Sequence, residues 1–460
     1  MAAREWGDNA RGPRSPRDER LTVSTSRPDA LRPGFILLFW LPLAATWLMM
    51  AAEGPYIAAI VARMPETAPN LAAYGVAFSL AWLIESPIMM LLSASNALVR
   101  DARSFVALRR FTFILNCVVT GGMILLAIPP VFRLVGEGLI GLPREISELA
   151  HGATAILIPW PAAIGYRRFL QGIMTRHHLT RRVAYGTVVR LVVMSVTAIG
   201  LARTVALPGA YIAAIALVTG VVAESGACRW MARHVVKSIV ESDEVVPEAL
   251  VKFAEIARFY YPLALTSMLS MALGPIVTFG LGRGGAPIES LAVWPVVAAF
   301  LFLFRSGGLG YQETGVALIG RNQEHDAEVS RVGRWLGAAF SLGIALVALT
   351  PLETLWFRRV SGLSPELAAA AIWPARIMIL LPALEYMVAT QRARLILMHR
   401  TRLITVATAI EAGGLGVTLL IAVGPMGMVG AVAGATATMV GRIAANAYLW
   451  LQLRRPIPQR

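Results

Sequence analysis

Twelve ionisable residues interrupt otherwise apolar stretches of this sequence: Glu53, Glu85, Glu224, Glu313, Glu385 and Glu411, and Arg167, Arg168, Arg190, Arg305, Arg376 and Arg442. A charge near a bilayer centre costs about 2.5–3.5 kcal/mol on insertion scales, so it faces a partner or a cavity. A guanidinium presents five donors in a fixed fork that matches carboxylate or phosphate bidentately. Arg376, inside Pro374-Ala375-Arg376-Ile377 and ahead of Pro382, is a candidate to hold an anion. So are Arg305 and the pair Arg167-Arg168 after Pro159-Trp160-Pro161. Neighbouring helix positions lie about 100° apart, so at most one of Arg167 and Arg168 points squarely inward while the other snorkels. Glu313 and Glu385 are the expected partners of these arginines. Glu53 precedes Gly54-Pro55, where a helix break frees carbonyls that, with the carboxylate, suit a proton or small cation. Glu85 and Arg305 sit midway along their stretches and are expected to pair or to gate. Glu224, Arg190 and Glu411 are expected near stretch ends, in structural roles.

These residues need elements to position them, and the composition says which kind. The chain has 460 residues, 57% of them hydrophobic and only 15% charged, against about 25% charged in soluble globular domains. That excludes a soluble enzyme and a disordered chain. Cys117 and Cys228 both lie in apolar runs and suggest neither a disulfide framework nor a metal site. A membrane span takes about 20 mostly apolar residues, and twelve are expected: 33–62, 71–99, 105–130, 147–175, 182–203, 208–232, 253–282, 288–319, 332–352, 365–392, 402–424 and 426–452. Residues 1–32 are polar, mixed in sign and aperiodic, the pattern of a disordered tail, and no cleaved signal peptide is expected.

The net charge of +15 is mostly a topology signal. Of 42 basic residues, all arginine except Lys237 and Lys252, the two tails and the loops after even-numbered spans hold 29 and the loops after odd-numbered spans hold seven. The positive-inside rule then places both termini in the cytoplasm, and no nucleic-acid partner is expected.

The halves repeat. Shifted by 220, Phe39-Trp40-Leu41-Pro42-Leu43-Ala44 falls on Phe259-Tyr260-Tyr261-Pro262-Leu263-Ala264, Gly54-Pro55 on Gly274-Pro275, and Glu85-Ser86 on Arg305-Ser306. With a small gap, Arg168 to Arg176 tracks Arg392 to Arg400. The expected organisation is therefore a tail (1–32), an N-lobe of six spans (33–235), a cytoplasmic linker (236–252), a C-lobe of six spans (253–453) and a short C-terminus (454–460). Six spans is an even number, so the lobes are parallel repeats about an axis along the membrane normal, with a substrate site between them near the midplane. Pro42, Gly54, Pro55, Pro262, Gly274 and Pro275 mark a shared bend in the first helix of each lobe. No GxxxxGK[ST], HExxH or CxxC motif is present. No nucleotide-hydrolysing loop, enzyme chemistry, metal or cofactor is expected, and a gradient would drive transport.

The sequence resembles the progressive ankylosis protein (ANK) family of the multidrug/oligosaccharide-lipid/polysaccharide (MOP) flippase superfamily. The resemblance rests on residues 71–80, on Pro161 followed by Gly172-Ile173-Met174-Thr175-Arg176-His177, on Tyr261-Pro262-Leu263-Ala264-Leu265 with Gly274-Pro275-Ile276-Val277, and on Pro374-Ala375-Arg376-Ile377 with Pro382. It implies an all-α, twelve-helix, two-lobed MATE-like transporter with alternating access. It also implies small polyvalent anions such as pyrophosphate, citrate or nucleotides as substrates. Glu53, Arg376 and Glu313 stand where that family carries similar residues. The chain departs from the family in its Arg167-Arg168 pair, its arginine-rich tail and its lack of an acidic C-terminal tail. The expectation is a monomeric exporter in a bacterial inner membrane, coupled to protons or sodium, with Glu53, Glu85 and Glu385 as coupling or gating groups. A cation-coupled exporter of cationic drugs and a lipid-linked precursor flippase stand as alternatives.

Overall fold

The computed structural model describes residues 31–454 except 178, 243–245, 247–250, 321–323 and 399. Most of the expected tail, residues 243–245 and 247–250 of the expected linker, and the last six residues lie outside the described residues. Twelve helices run in sequence: α1 (Pro33–Val61), α2 (Thr67–Leu98), α3 (Ala102–Leu126), α4 (Arg144–Ile156 and Trp160–Arg176), α5 (Thr180–Thr204), α6 (Gly209–Val240), α7 (Phe253–Arg283), α8 (Pro287–Leu318), α9 (Asp326–Ala348), α10 (Pro365–Ile377 and Leu381–Leu397), α11 (Arg402–Val423) and α12 (Gly430–Arg454). Among the described residues nine helical stretches are long and apolar enough to cross a bilayer, and the α10 pair, bent by 42°, makes a tenth. The other two of the expected twelve are α4, broken by a turn and carrying Arg167-Arg168, and α12, diluted by glycine and threonine. The protein is an all-α, multi-pass membrane protein of two six-helix halves.

Local chemistry sets the breaks. Pro55 has no N–H to give the Ala51 carbonyl, and the first segment of α1 ends at that residue. Pro275 does the same at Met271 in α7. Pro42 and Pro262 lie inside continuous helix, so they do not break it. Asp101 caps α3, exchanging hydrogen bonds with Ser104 in a capping box.

The repeat is visible in detail, at an offset of 220 through the first two helices of each half and 221 beyond. Glu66 and Ala286, which are 220 apart, are the non-glycine residues with positive φ among the described residues, at 52° and 48°. A π-helical turn, Leu134–Ile140, ends on left-handed Gly141, and its mate, Leu355–Val360, leads through Ser361 to left-handed Gly362. The Ala210 amide donates to Asn70 and the Ala431 amide to Ser290, both at 3.0 Å. Gly75 in α2 abuts Pro295 in α8, its own equivalent, so closely that a methyl group has no room.

The halves exchange the starts of their first helices. Pro33–Ala51 packs chiefly on α8, and Phe253–Met271 on the 3-10 turn Ser86–Met90 inside α2. Trp40 donates from its indole to the Gly307 carbonyl at 2.9 Å. Tyr260, 220 residues on, donates from its hydroxyl to the carbonyl of Pro87, the mate of Gly307. At the opposite face from the termini, Arg63 donates to the Arg359 and Val360 carbonyls at 2.6 and 2.8 Å. Arg283, again 220 on, donates to the Gly138 and Leu139 carbonyls at 2.5 and 2.8 Å. Both π-helical turns are therefore held by an arginine of the other half. The far face is closed by a symmetric pair of staples.

Candidate functional site

Each half buries a chain of four alternating charges drawn from four helices. In the N-half, Glu53 (α1) meets Arg190 (α5) at 3.0 Å, and Arg190 lies 3.6 Å from Glu224 (α6). Glu224 also accepts from Arg167 (α4) and, at 3.2 Å, from Gln171. In the C-half, Arg305 (α8) donates twice to Glu385 (α10), at 2.7 and 3.1 Å. Glu385 lies 3.5 Å from Arg442 (α12), which pairs with Glu411 (α11) at 3.0 Å. Each chain is neutral and crosses its half, so no member stands as a lone charge in apolar surroundings.

The two chains share one repeat position, occupied with opposite sign. Arg190 and Glu411 are repeat mates, 221 apart: Gly220 sits against the backbone of Arg190, and Gly441 against that of Glu411. Their partners, Glu224 and Arg442, lie one helical turn apart in the matched register.

Three charged groups are left over. Arg168 reaches the Met89 sulfur at 3.9 Å, and no described carboxylate is within ion-pair distance. Its Nε is buried without a hydrogen-bond partner. Arg392 sits among Arg305, Glu385, Glu411 and Arg442 without an ion pair among the described residues, and its Nε too is buried and unpartnered. Glu85, 2% exposed, has Arg167, Arg168 and Arg190 as neighbouring charges, yet its Oε2 lacks a hydrogen-bond partner.

Several expectations need correction. Glu85 and Arg305 do not pair: Arg305 turns to Glu385 within its own half. Arg376 is not held by Glu313 or Glu385. It donates to the Ala348 carbonyl at 2.9 Å and to Glu353 at 3.1 Å, and stacks over Trp373, because the bend of α10 sets it level with the end of α9. Glu313 bonds the Trp47 indole rather than an arginine. Of the adjacent arginines, Arg167 enters the N-half chain. Arg168 is the counterpart of Ala389, not of Arg392, because Gly172 packs on Ser95 as Ala393 packs on Gly315. That fixes the offset in α4 and α10 at 221 rather than 224. Glu53 and Glu385 are paired carboxylates.

Sequence reasoning passed over Arg190, Glu224, Glu411, Arg392 and Gln171 as site residues. Helix length is the reason. Glu224 lies fifteen residues into a 32-residue helix, about 22 Å from its start at 1.5 Å per residue. Arg190 and Glu411 are likewise central in α5 and α11. The Gly220/Gly441 register was the available signal. Among the described residues no group of three or more histidine, cysteine or acidic side chains could hold a metal.

No protein-family model matches the chain, and no curated protein sequence does either. Solved structures do. A multidrug-resistance MATE family transporter of the MOP superfamily, in an inward-facing conformation, aligns with TM-score 0.67 at 16% identity over 91% of this chain and 97% of its own. The lipid II flippase MurJ, inward closed, aligns with TM-score 0.70 at 14% identity over 91% and 88%. A MOP superfamily transporter from Pyrococcus furiosus, described as having a binding pocket of reverse polarity that suggests a different function, aligns with TM-score 0.61 at 16% identity over 93% and 99%. The fold is that of the MATE-like transporters of the MOP superfamily. These neighbours are transporters and a flippase, not enzymes.

Proposed function

We propose that this chain is a secondary transporter of the MOP class that exports small polyvalent anions, such as pyrophosphate, citrate-like carboxylates or nucleotides, by alternating access between its halves. Both termini are cytoplasmic in this reading, the membrane is the cell membrane, and the function is akin to that of the ANK family. One observation carries the anion reading. With Glu53, Glu224, Glu385 and Glu411 paired, each half retains one buried guanidinium without an ion pair among the described residues, Arg168 and Arg392. These two forks suit the oxygens of one polyanion shared between the halves. The reversed pocket polarity described for the Pyrococcus furiosus relative shows that this fold accommodates a change of sign. The alternative of a cationic-drug exporter calls for Glu53, Glu85, Glu313 and Glu385 to be free of arginine: Glu53 and Glu385 are neutralised by arginine, whereas Glu85 and Glu313 form no ion pair among the described residues.

Glu85 is the coupling group in this reading. Its buried carboxyl lacks a hydrogen-bond partner for one oxygen, so taking up a proton removes an uncompensated charge. Uptake of labelled pyrophosphate or citrate into proteoliposomes under an imposed pH gradient is the test. Arg168→Gln and Arg392→Gln are each expected to lower uptake at least tenfold while the protein still folds. Wild-type uptake in both variants, or uptake of ethidium in place of the anions, overturns the assignment.

A further inference from the structure

Outside the charge chains, the N-half carries a groove of about 970 Å³ lined by residues of α3, α4 and α6. Its walls combine two chemistries. Arg109 and Arg110 on α3 face Arg229, Arg233 and Lys237 on α6. The last three are four residues apart and so share one helix face. No acidic side chain lines it. Lys237 reaches Glu241 beyond the groove at 3.7 Å, but no described carboxylate comes within ion-pair distance of the four arginines. Arg229 donates to the Tyr166 hydroxyl at 2.8 Å, and Phe113 stacks on the Tyr166 ring with centroids 6.0 Å apart. Four guanidinium groups thus converge on an aromatic floor with no counter-charge.

The second chemistry is apolar. Val106, Phe113 and Ile114 line the same groove and are 48%, 49% and 42% exposed. The outward face of α3 continues from them through Val118 to Ile124 and Leu125. The groove therefore opens onto a lipid-facing stripe that runs along the helix away from the termini face. α6 is 32 residues long, about 48 Å, against a hydrocarbon core of about 30 Å. Arg229, Arg233 and Lys237 in its last third thus stand at headgroup height.

We propose that this groove binds the phosphate headgroup of an anionic phospholipid from the leaflet at the termini face, with an acyl chain laid along Val106, Phe113 and Val118. Phosphatidylglycerol, which carries one uncompensated phosphate charge, has the required chemistry; a zwitterionic headgroup brings its own cation into a site already crowded with them. Basic pockets between membrane helices on the cytoplasmic side hold anionic headgroups in this way. The bound lipid bridges α3 and α6 over Tyr166, next to Arg167 of the N-half charge chain.

The test uses full-length protein in detergent, so its outcome does not depend on orientation or on the transported substrate. Native mass spectrometry measures retention of phosphatidylglycerol, phosphatidylcholine and inorganic phosphate by the wild type. It is repeated with Arg229→Gln/Arg233→Gln, with Tyr166→Phe, and with a control pair in the other half, Arg331→Gln/Arg334→Gln. Each arginine that meets the bound headgroup contributes about 5-fold to its affinity. The groove double variant should therefore lose about 25-fold in phosphatidylglycerol affinity, Tyr166→Phe a smaller factor, and the control none. Equal losses in groove and control variants, equal retention of the two lipids, or phosphate binding as tight as phosphatidylglycerol binding each overturns the proposal. All substituted arginines are exposed, so melting temperatures matching wild type in phosphatidylcholine micelles are the check on folding.

Discussion

The two charge chains look like one device built twice, yet they differ in what surrounds them. In the C-half, Glu385 is clamped between Arg305 and Arg442, and Glu411 takes the other side of Arg442. Every carboxylate there is engaged, and one arginine is spare. In the N-half the chain is equally neutral, but a further carboxyl, Glu85, lies among its arginines without a complete set of bonds. The C-half is therefore arranged to be rigid, whereas the N-half holds a group whose charge can change without breaking an existing pair. In the proposed reading this asymmetry is what gives the N-half a group to load with a proton.

The largest expected effect tests that contrast directly. Glu385→Ala strands the half-buried Arg305 and leaves Arg442 with Glu411 alone, and should destabilise the protein by about 3–5 kcal/mol, the usual result of breaking a buried pair, measured by unfolding in detergent. Glu224→Ala strands Arg167 and leaves Arg190 with Glu53 alone, but Glu85 has both arginines as neighbouring charges and can compensate. Its loss should be smaller, and equal losses would remove the basis of the comparison. Next, Glu85→Gln should leave stability within about 1 kcal/mol of wild type while abolishing the response of uptake to a pH gradient. A large stability loss with coupling intact would make Glu85 structural. Arg63→Ala and Arg283→Ala each remove two charge-assisted bonds to carbonyls, and should shift the open–closed balance of the far face by about 1–2 kcal/mol apiece. The readout is maleimide labelling of a cysteine placed at buried Ile140, in a background without Cys117 and Cys228. Unequal shifts would show that the staples are not equivalent.

The smallest effect lies at Asp101. Burial works against its ionised form, but bonds from the Ser104 hydroxyl and amide and from the Val246 amide outweigh it, with help from Arg103. Its pKa is thus held below the ordinary aspartate value. Its contribution is complete above that ordinary value and is lost as pH falls through the folded one. Asp101→Asn should cost about 1 kcal/mol at neutral pH and flatten stability below pH 4; an unchanged acid limb would refute the assignment.

Much of this architecture was legible in the residues. Span length, the 220-residue repeat and the bends at Gly54-Pro55 and Gly274-Pro275 follow from hydropathy and proline chemistry, which act locally. The pairing of charges did not follow, because it depends on which helix faces which. Arg376 read as an inward anion ligand, yet the segment that follows α9 brings Glu353 within reach of it. Glu85 and Arg305 matched by repeat, but matched residues meet only if they lie on the symmetry axis, and these do not. Arg190 and Glu224 were dismissed on distance from a helix end, and helices that overrun the membrane make that distance misleading.

One contact does lie on that axis. Gly75 touches Pro295, the residue in its own place in the other half, so this point behaves as the fulcrum of any rocking between the halves. Displacement grows with distance from a fulcrum, and the Arg63 and Arg283 staples stand far out along the lever arms. A disulfide joining positions 75 and 295 should therefore be mechanically silent, whereas one joining 63 and 359 should lock the far face shut.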